Sequence, residues 1–143
     1  MIEEAIFTIL TNDADVSPEI VNRVYPLRAA ENSVTPYIVY QQVSEVDIES
    51  FDADNENFEA RFQFEVVGVA NRDAGANSSR GYKEGKTIGR LSRDAFRDYT
   101  GTGMFGDICI WDIEPEGLRD GYDVNTEEPS VVFDVIFKAA RTA

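Results

Sequence analysis

Residues 58–70 read F-E-A-R-F-Q-F-E-V-V-G-V-A, and their alternation decides the architecture. Phe58, Ala60, Phe62, Phe64 and Val66 fall on one face of an extended chain, and Glu59, Arg61, Gln63 and Glu65 fall on the other, because successive side chains of a strand point to opposite sides. One face is core, and the other meets water or a neighbour. Upstream, Pro36 opens Y-I-V-Y-Q-Q-V-S-E-V, rich in β-branched and aromatic residues, which predicts a strand over 37–46. Strands so close in sequence pair as an antiparallel hairpin, here across a long acidic connection. Downstream, D-I-C-I-W-D-I near 107–113 and S-V-V-F-D-V-I-F-K at 130–138 supply two more strands, the last with Val131, Phe133, Val135 and Phe137 on one face.

Two stretches carry a helical period instead. Ile2, Ala5, Ile6, Ile9 and Leu10 predict an amphipathic helix over 2–12, with Glu3 and Glu4 at the positive end of its dipole. Pro18 interrupts the chain after it, and V-Y-P-L at 24–27 reads as a short extended piece. Residues 82–99 form a second helix whose Ile88, Leu91, Ala95 and Tyr99 share one side. Lys83, Lys86, Arg90, Arg93 and Arg97 recur on the opposite side at spacings of three and four, as a cationic stripe. The expected fold is therefore α+β, one domain over 1–143: a two-layer arrangement of a mainly antiparallel four-stranded sheet with helices packed on one face, in the order α-β-β-α-β-β. Phe62, Phe64, Val66, Ile88, Leu91, Phe96, Phe133 and Val135 are expected to share its core.

Charge and absences bound the chemistry. Twenty-seven acidic residues against 13 basic ones leave a net charge of −14, a field that repels phosphate backbones and anionic lipid. The chain has no histidine, which removes the commonest general base and the commonest zinc ligand. Cys109, the single cysteine, sits in an apolar strand and reads as an inert core thiol. The opening M-I-E-E has no basic leader and no apolar run reaches membrane-spanning length, so the chain is expected in a reducing cytoplasm or in something assembled there.

Apparent nucleotide motifs fail on their mechanics. Gly81–Thr87, G-Y-K-E-G-K-T, is one residue short of the phosphate-cradling loop, and the glycines at 101, 103 and 106 follow a helix where a dinucleotide fingerprint precedes one. Asp52, Asp54 and Glu56 start like a calcium loop, but Asn57 replaces its glycine and Gln63 its closing glutamate. No catalytic, cofactor-binding or metal-binding set is assigned. Carboxylate pairs alone would suffice for some hydrolases, and the sequence selects none. The tract Glu45, Asp47, Glu49, Asp52, Asp54, Glu56 and Glu59 contains no cation, and reads either as solvated loop or as a like-charged wall that keeps DNA from sticking.

The residues also carry a resemblance. The N-terminal helix followed by R-V-Y-P-L-R-A-A-E-N, the P-Y-I-V-Y-Q-Q-V strand, the R-F-Q-F-E-V strand from Arg61 and the closing R-D-G-Y-D…F-D-V-I-F resemble the tail-completion, or tail-terminator, proteins of long-tailed bacteriophages, in order over nearly the whole chain. The acidic loop from Asp47 to Asn57 and the helical glycines Gly85 and Gly89 depart from that pattern. The resemblance implies a non-enzymatic virion protein without cofactor, assembled in the host cytoplasm. Its partners would be itself, as a homohexameric ring, the tail tube protein and the head-side connector or stopper protein, with DNA passing through transiently and no membrane attachment. In such a ring Glu45, Asp47, Glu49, Asp52, Asp54 and Glu56 are candidate lumen or rim acids, and Arg90, Arg93 and Arg97 candidate inter-subunit cations. Two other readings fit the charge: an acidic DNA-mimic inhibitor, and a small carboxylate-dependent enzyme.

Overall fold

The computed structural model describes residues 1–29, 34–48, 55–68, 80–99, 104–123 and 128–142. Helix α1 (Ile2–Asn12) and the short α2 (Ser17–Ile20) lead into strands β1 (Val24–Pro26), β2 (Tyr37–Ile48) and β3 (Asn55–Val67). Helix α3 (Arg80–Asp98) follows, and then β4 (Met104–Phe105), β5 (Ile108–Pro115), β6 (Arg119–Asp123) and β7 (Glu128–Thr142). Pro18 lies in the first turn of α2, where its missing N–H costs nothing, so it starts a helix as well as ending the loop before it.

The seven strands form one mixed sheet in the order β1-β2-β3-β7-β5-β4, curled into a half-barrel, with β6 also paired to β7. The expected four-stranded antiparallel sheet in the order α-β-β-α-β-β is thereby corrected. Three short strands account for the difference. β1 runs parallel to β2 through Val24↔Ile38 to Pro26↔Tyr40, which makes the sheet mixed. β4 has two residues and β6 five, too short for a legible alternation. β6 has a partner because β7 is long: its 15 residues pair with β6 over Glu128–Val132 and with β5 over Val135–Arg141 along the same edge, while β4 adds to β5 through Met104↔Cys109 and Phe105↔Ile108.

The expected β2–β3 hairpin forms, in a register from Tyr37↔Val67 to Ile48↔Asn57 with an irregularity between Gln42 and Ser44. Phe58, Ala60, Phe62, Phe64 and Val66 are all buried, as their alternation requires. They pack with Phe133, Val135, Phe137 and Ala139 of β7 in one cluster that also takes Ile88, Ala95 and Phe96 of α3, with Leu91 packed against it. Phe64 stacks on Phe133 at 5.1 Å and lies 5.0 Å from Phe96, while Phe137 meets Phe62 and Phe96 edge-on. Helix α1 buries Ile2, Ala5, Ile6, Ile9 and Leu10, the stripe read from its spacing. Cys109 is a correction: Ile108 and Ile110 take the core side of β5, so the half-buried thiol points away from it.

Glycines let α3 approach the sheet. A Cβ on Gly89 would stand 3.2 Å from Val131 Cγ1 and 3.3 Å from Leu118 Cδ2, tighter than ordinary contact, whereas on Gly85 it would meet Gly68 N and Val66 O at 3.5 Å and Val131 Cγ2 at 3.8 Å, in ordinary van der Waals contact.

Two outcomes follow for stability. Phe64→Ala removes a fully buried ring from the centre of the cluster and should cost about 3–5 kcal/mol in urea unfolding; a loss below about 0.5 kcal/mol, the size of a surface change, would contradict its central place. Gly85→Ala should stabilise by about 0.5–1 kcal/mol by restoring helix propensity where the added methyl makes ordinary contacts without a clash. Gly89→Ala should gain less, because Val131 and Leu118 must move; equal gains would refute the close approach.

Candidate functional site

The face of β3 opposite the core carries Glu59, Arg61, Gln63 and Glu65, and antiparallel pairing sets them beside Lys138, Ile136, Asp134 and Val132 of β7. The result is a ladder of charge across four strands, β3, β7, β5 and β6, and the turn after β5. Arg61 grips Glu116 with two nitrogens at 2.9 and 3.1 Å and reaches Asp134 at 3.0 Å. Arg119 meets the other oxygen of Asp134 at 3.0 Å. Lys138 donates to Glu114 at 2.9 Å and lies 3.8 Å from Asp112. Gln41 Nε2 donates to Gln63 Oε1 across to β2 at 2.8 Å. The face is polar because the period of two leaves it no apolar position along Glu59–Glu65, and its carboxylates outnumber its cations.

Hydrogen bonds to Glu116 and then Asp134 hold the Arg61 guanidinium above its usual pKa, so it is charged at every working pH. The hydrogen bond from Lys138 lowers Glu114 below 4.5, and the same bond raises Lys138 above 10.5. Burial, helped by the charge of Glu3, pushes the Tyr40 hydroxyl up.

The residues nominated from sequence occupy two separate places. Glu45 and Asp47 are exposed on β2, opposite Ala60 and Phe58, and Glu56 is exposed on β3 opposite Arg141. Glu45 is held by Arg141 at 3.1 Å, whose guanidinium also lies 4.2 Å over the Phe58 ring. Glu49, Asp52 and Asp54 lie outside the described residues. On α3, Arg90 is exposed, Arg93 is half-buried 3.6 Å from Asp94, and Arg97 pairs with Asp94 at 3.3 Å and Asp98 at 3.2 Å. No ion pair among the described residues joins α3 to the β2–β3 acids. Sequence reasoning passed over Arg61, Arg119, Lys138 and Arg141 as site residues; the positions alternating with Val135, Phe137 and Ala139 on the last strand were the available signal for Asp134 and Lys138 on its outward face.

A cleft of about 460 Å³ opens between the C-terminal ends of α1 and α3, lined by Thr8, Ile9, Asn12, Asp13, Ala95, Asp98 and Tyr99. Its two carboxylates already have structural partners: Asp13 Oδ1 accepts from the backbone N–H groups of Asp15 and Val16, and Asp98 pairs with Arg97. Among the described residues no group of three or more potential metal ligands occurs, and no helix is long and apolar enough to cross a membrane.

No protein-family model matches the chain, and no curated protein does. Among solved structures it is similar to a chain of the "Virion of native gene transfer agent (GTA) particle", with a TM-score of 0.64 at 13% identity, covering 96% of this chain and 92% of that one. The likeness fixes the fold over nearly the full length of both chains.

The Lys138–Glu114 bridge has a measurable consequence. Because the folded state holds Glu114 below the unfolded value of 4.5, the stabilisation from the bridge is complete above 4.5 and is lost as pH falls through the folded midpoint. Carboxyl NMR titration should give Glu114 a midpoint below 4.5, moving upward in Lys138→Met. An unmoved midpoint would mean that the bridge does not persist in solution.

Proposed function

We propose that this chain is a structural protein of a phage-like virion, and within it the tail-completion, or tail-terminator, protein. It forms a ring, a homohexamer by the resemblance described above, that caps the tail tube, ends its polymerisation, joins it to the head-side connector and lets DNA pass. The observation that carries this reading is the fold likeness to a virion chain across 96% of this chain and 92% of the other, since two chains alike end to end share an architecture and not merely a motif. The electrostatics support it. A net charge of −14 suits a surface past which DNA must slide without adhering. The carboxylates of Glu114, Glu116 and Asp134 are engaged in ion pairs across the sheet, and the chain lacks the histidine on which most acid–base sites depend.

On this reading part of the acidic tract Glu45, Asp47, Glu49, Asp52, Asp54 and Glu56 lines or rims the lumen, where like charge shortens the dwell of each phosphate. The ring stands between the tail tube and the connector, so the mature protein resides at the head-proximal end of the tail.

Deleting the gene from its particle and imaging the products by electron microscopy tests the role. Tails of uncontrolled length that fail to join heads are expected, with rescue by the intact chain. Normal tails joined to heads in its absence would remove the terminator role. Neutralising Asp52, Asp54 and Glu56 to their amides should spare joining and slow DNA exit; unchanged exit kinetics would remove the lumen assignment alone.

A further inference from the structure

Strand β2 is only partly covered. β1 pairs with it at Ile38, Val39 and Tyr40, so from Gln41 to Ile48 its outward edge has no strand beside it among the described residues. Every residue of that stretch is exposed, including Val43 at 53% and Val46 at 61%. An open edge of this length is a docking surface unless something prevents pairing. Here the chain irregularity at Val43 and the acids Glu45 and Asp47 work against strand addition by a second copy. The other open edge, on β5 beyond Cys109, carries Asp112 and Glu114, so edge-to-edge pairing would set acid against acid.

The surface of opposite charge on the same chain is α3. Its Lys83 and Arg90 are exposed, and neither they nor Lys86 have a carboxylate within ion-pair distance among the described residues; Lys86 lies instead over the Tyr82 ring. Arg93 and Arg97, by contrast, are already occupied by Asp94 and Asp98. Lengths are compatible. Val43 to Asp47 spans about 14 Å at about 3.4 Å per residue, and the cations from Lys83 to Arg90 span about 11 Å at about 1.5 Å per residue.

A chain cannot make this contact with itself. Gly85 of α3 packs against Val66 and Gly68, whereas the acids pair with Phe58 and Ala60 towards the other end of β3. Eight strand residues separate Val66 from Phe58, about 27 Å.

We propose that the open edge of β2 receives helix α3 of a second copy of the chain, with Lys83, Lys86 and Arg90 meeting Asp47 and the Glu45 oxygen not engaged by Arg141. Val46 pairs with Glu59 and so lies on the face opposite Glu45 and Asp47; the stems of these cations pack along the edge at Val43, where the strand is irregular. Donor and acceptor surfaces differ, so the contact is heterologous and propagates from copy to copy, closing into a ring when its rotation divides a full turn. The proposal rests on the self-assembly part of the function proposed above, and it moves the inter-subunit cations from Arg93 and Arg97 toward the first half of α3.

The test uses the full chain with two exposed-surface variants, a helix variant Lys83→Glu/Lys86→Glu/Arg90→Glu and an edge variant Val43→Lys/Asp47→Lys that spares the Glu45–Arg141 pair. Circular dichroism establishes that each is folded, and sedimentation across concentrations reads mass. The parent should assemble, and each variant alone should need at least about tenfold more protein for half-assembly, because attraction has become repulsion. An equimolar mixture should assemble again, since each altered surface then finds its complement on the other variant. If the edge variant does not fold, Asp47→Lys alone replaces it. Parent-like assembly of both variants, or failure of the mixture, overturns the contact while leaving ring formation standing. A parent that stays monomeric at every concentration overturns ring formation and the contact together.

Discussion

The stack of Phe64 on Phe133 holds the rest of the structure in place. It joins the centres of β3 and β7, and Phe96 of α3 lies within ring contact of both. Sliding β3 by one residue would exchange Phe62 and Phe64 for Gln63 and Glu65 in the core, at the cost of burying charge and exposing rings. The register is therefore fixed by burial more strongly than by any turn. Once β3 and β7 are locked, β7 runs on by two residues, Glu128 and Pro129, beyond the contact, and its other edge collects β5 and the short β6, whose own sequence carries no legible period.

The same register produces the electrostatic order. With the aromatic positions buried, the intervening positions must face outward, and pairing brings Glu59 beside Lys138 and Gln63 beside Asp134. Arg61 then reaches Asp134 and Glu116, and Arg119 shares Asp134. Exposed pairs of this kind are individually worth only about 0.2–1 kcal/mol, so the ladder is not what holds the sheet together. Its effect is on the surface potential: cations are spent locally against acids, and the remaining acids define the field.

Two regions escape that local neutralisation in opposite senses. Among the described residues, the first half of α3 keeps cations without carboxylate partners, and β2 beyond Tyr40 keeps Asp47 exposed beside apolar residues and an unpaired edge. A monomer in water gains little from either. In a virion-like assembly, where copies of one chain meet repeatedly, unlike surfaces on a single chain supply orientation while apolar and backbone contacts supply most of the free energy.

Strong local periodicity was sufficient for α1, α3, β2, β3, β5 and β7, because each buries one face and its residues must repeat at 3.6 or 2. The aromatic core followed from the same rule, residue by residue, as did the separation of an acidic tract from a cationic helix face. The parallel pairing of Val24–Pro26, the two-residue β4 and the five-residue β6 were decided only in three dimensions. Strands that short carry no period, and their partner is fixed by where β2, β5 and β7 expose an edge. Gly85 and Gly89 looked like defects in a helix until Val66 and Val131 stood beneath them. Which helix cations are engaged was by contrast local: Arg90, Arg93 and Arg97 share one stripe, and Asp94 and Asp98, one to three residues away in α3, take up Arg93 and Arg97. Periodicity records which face is buried, whereas pairing, proximity and edge exposure depend on residues far apart in the chain, and those only the folded sheet brings together.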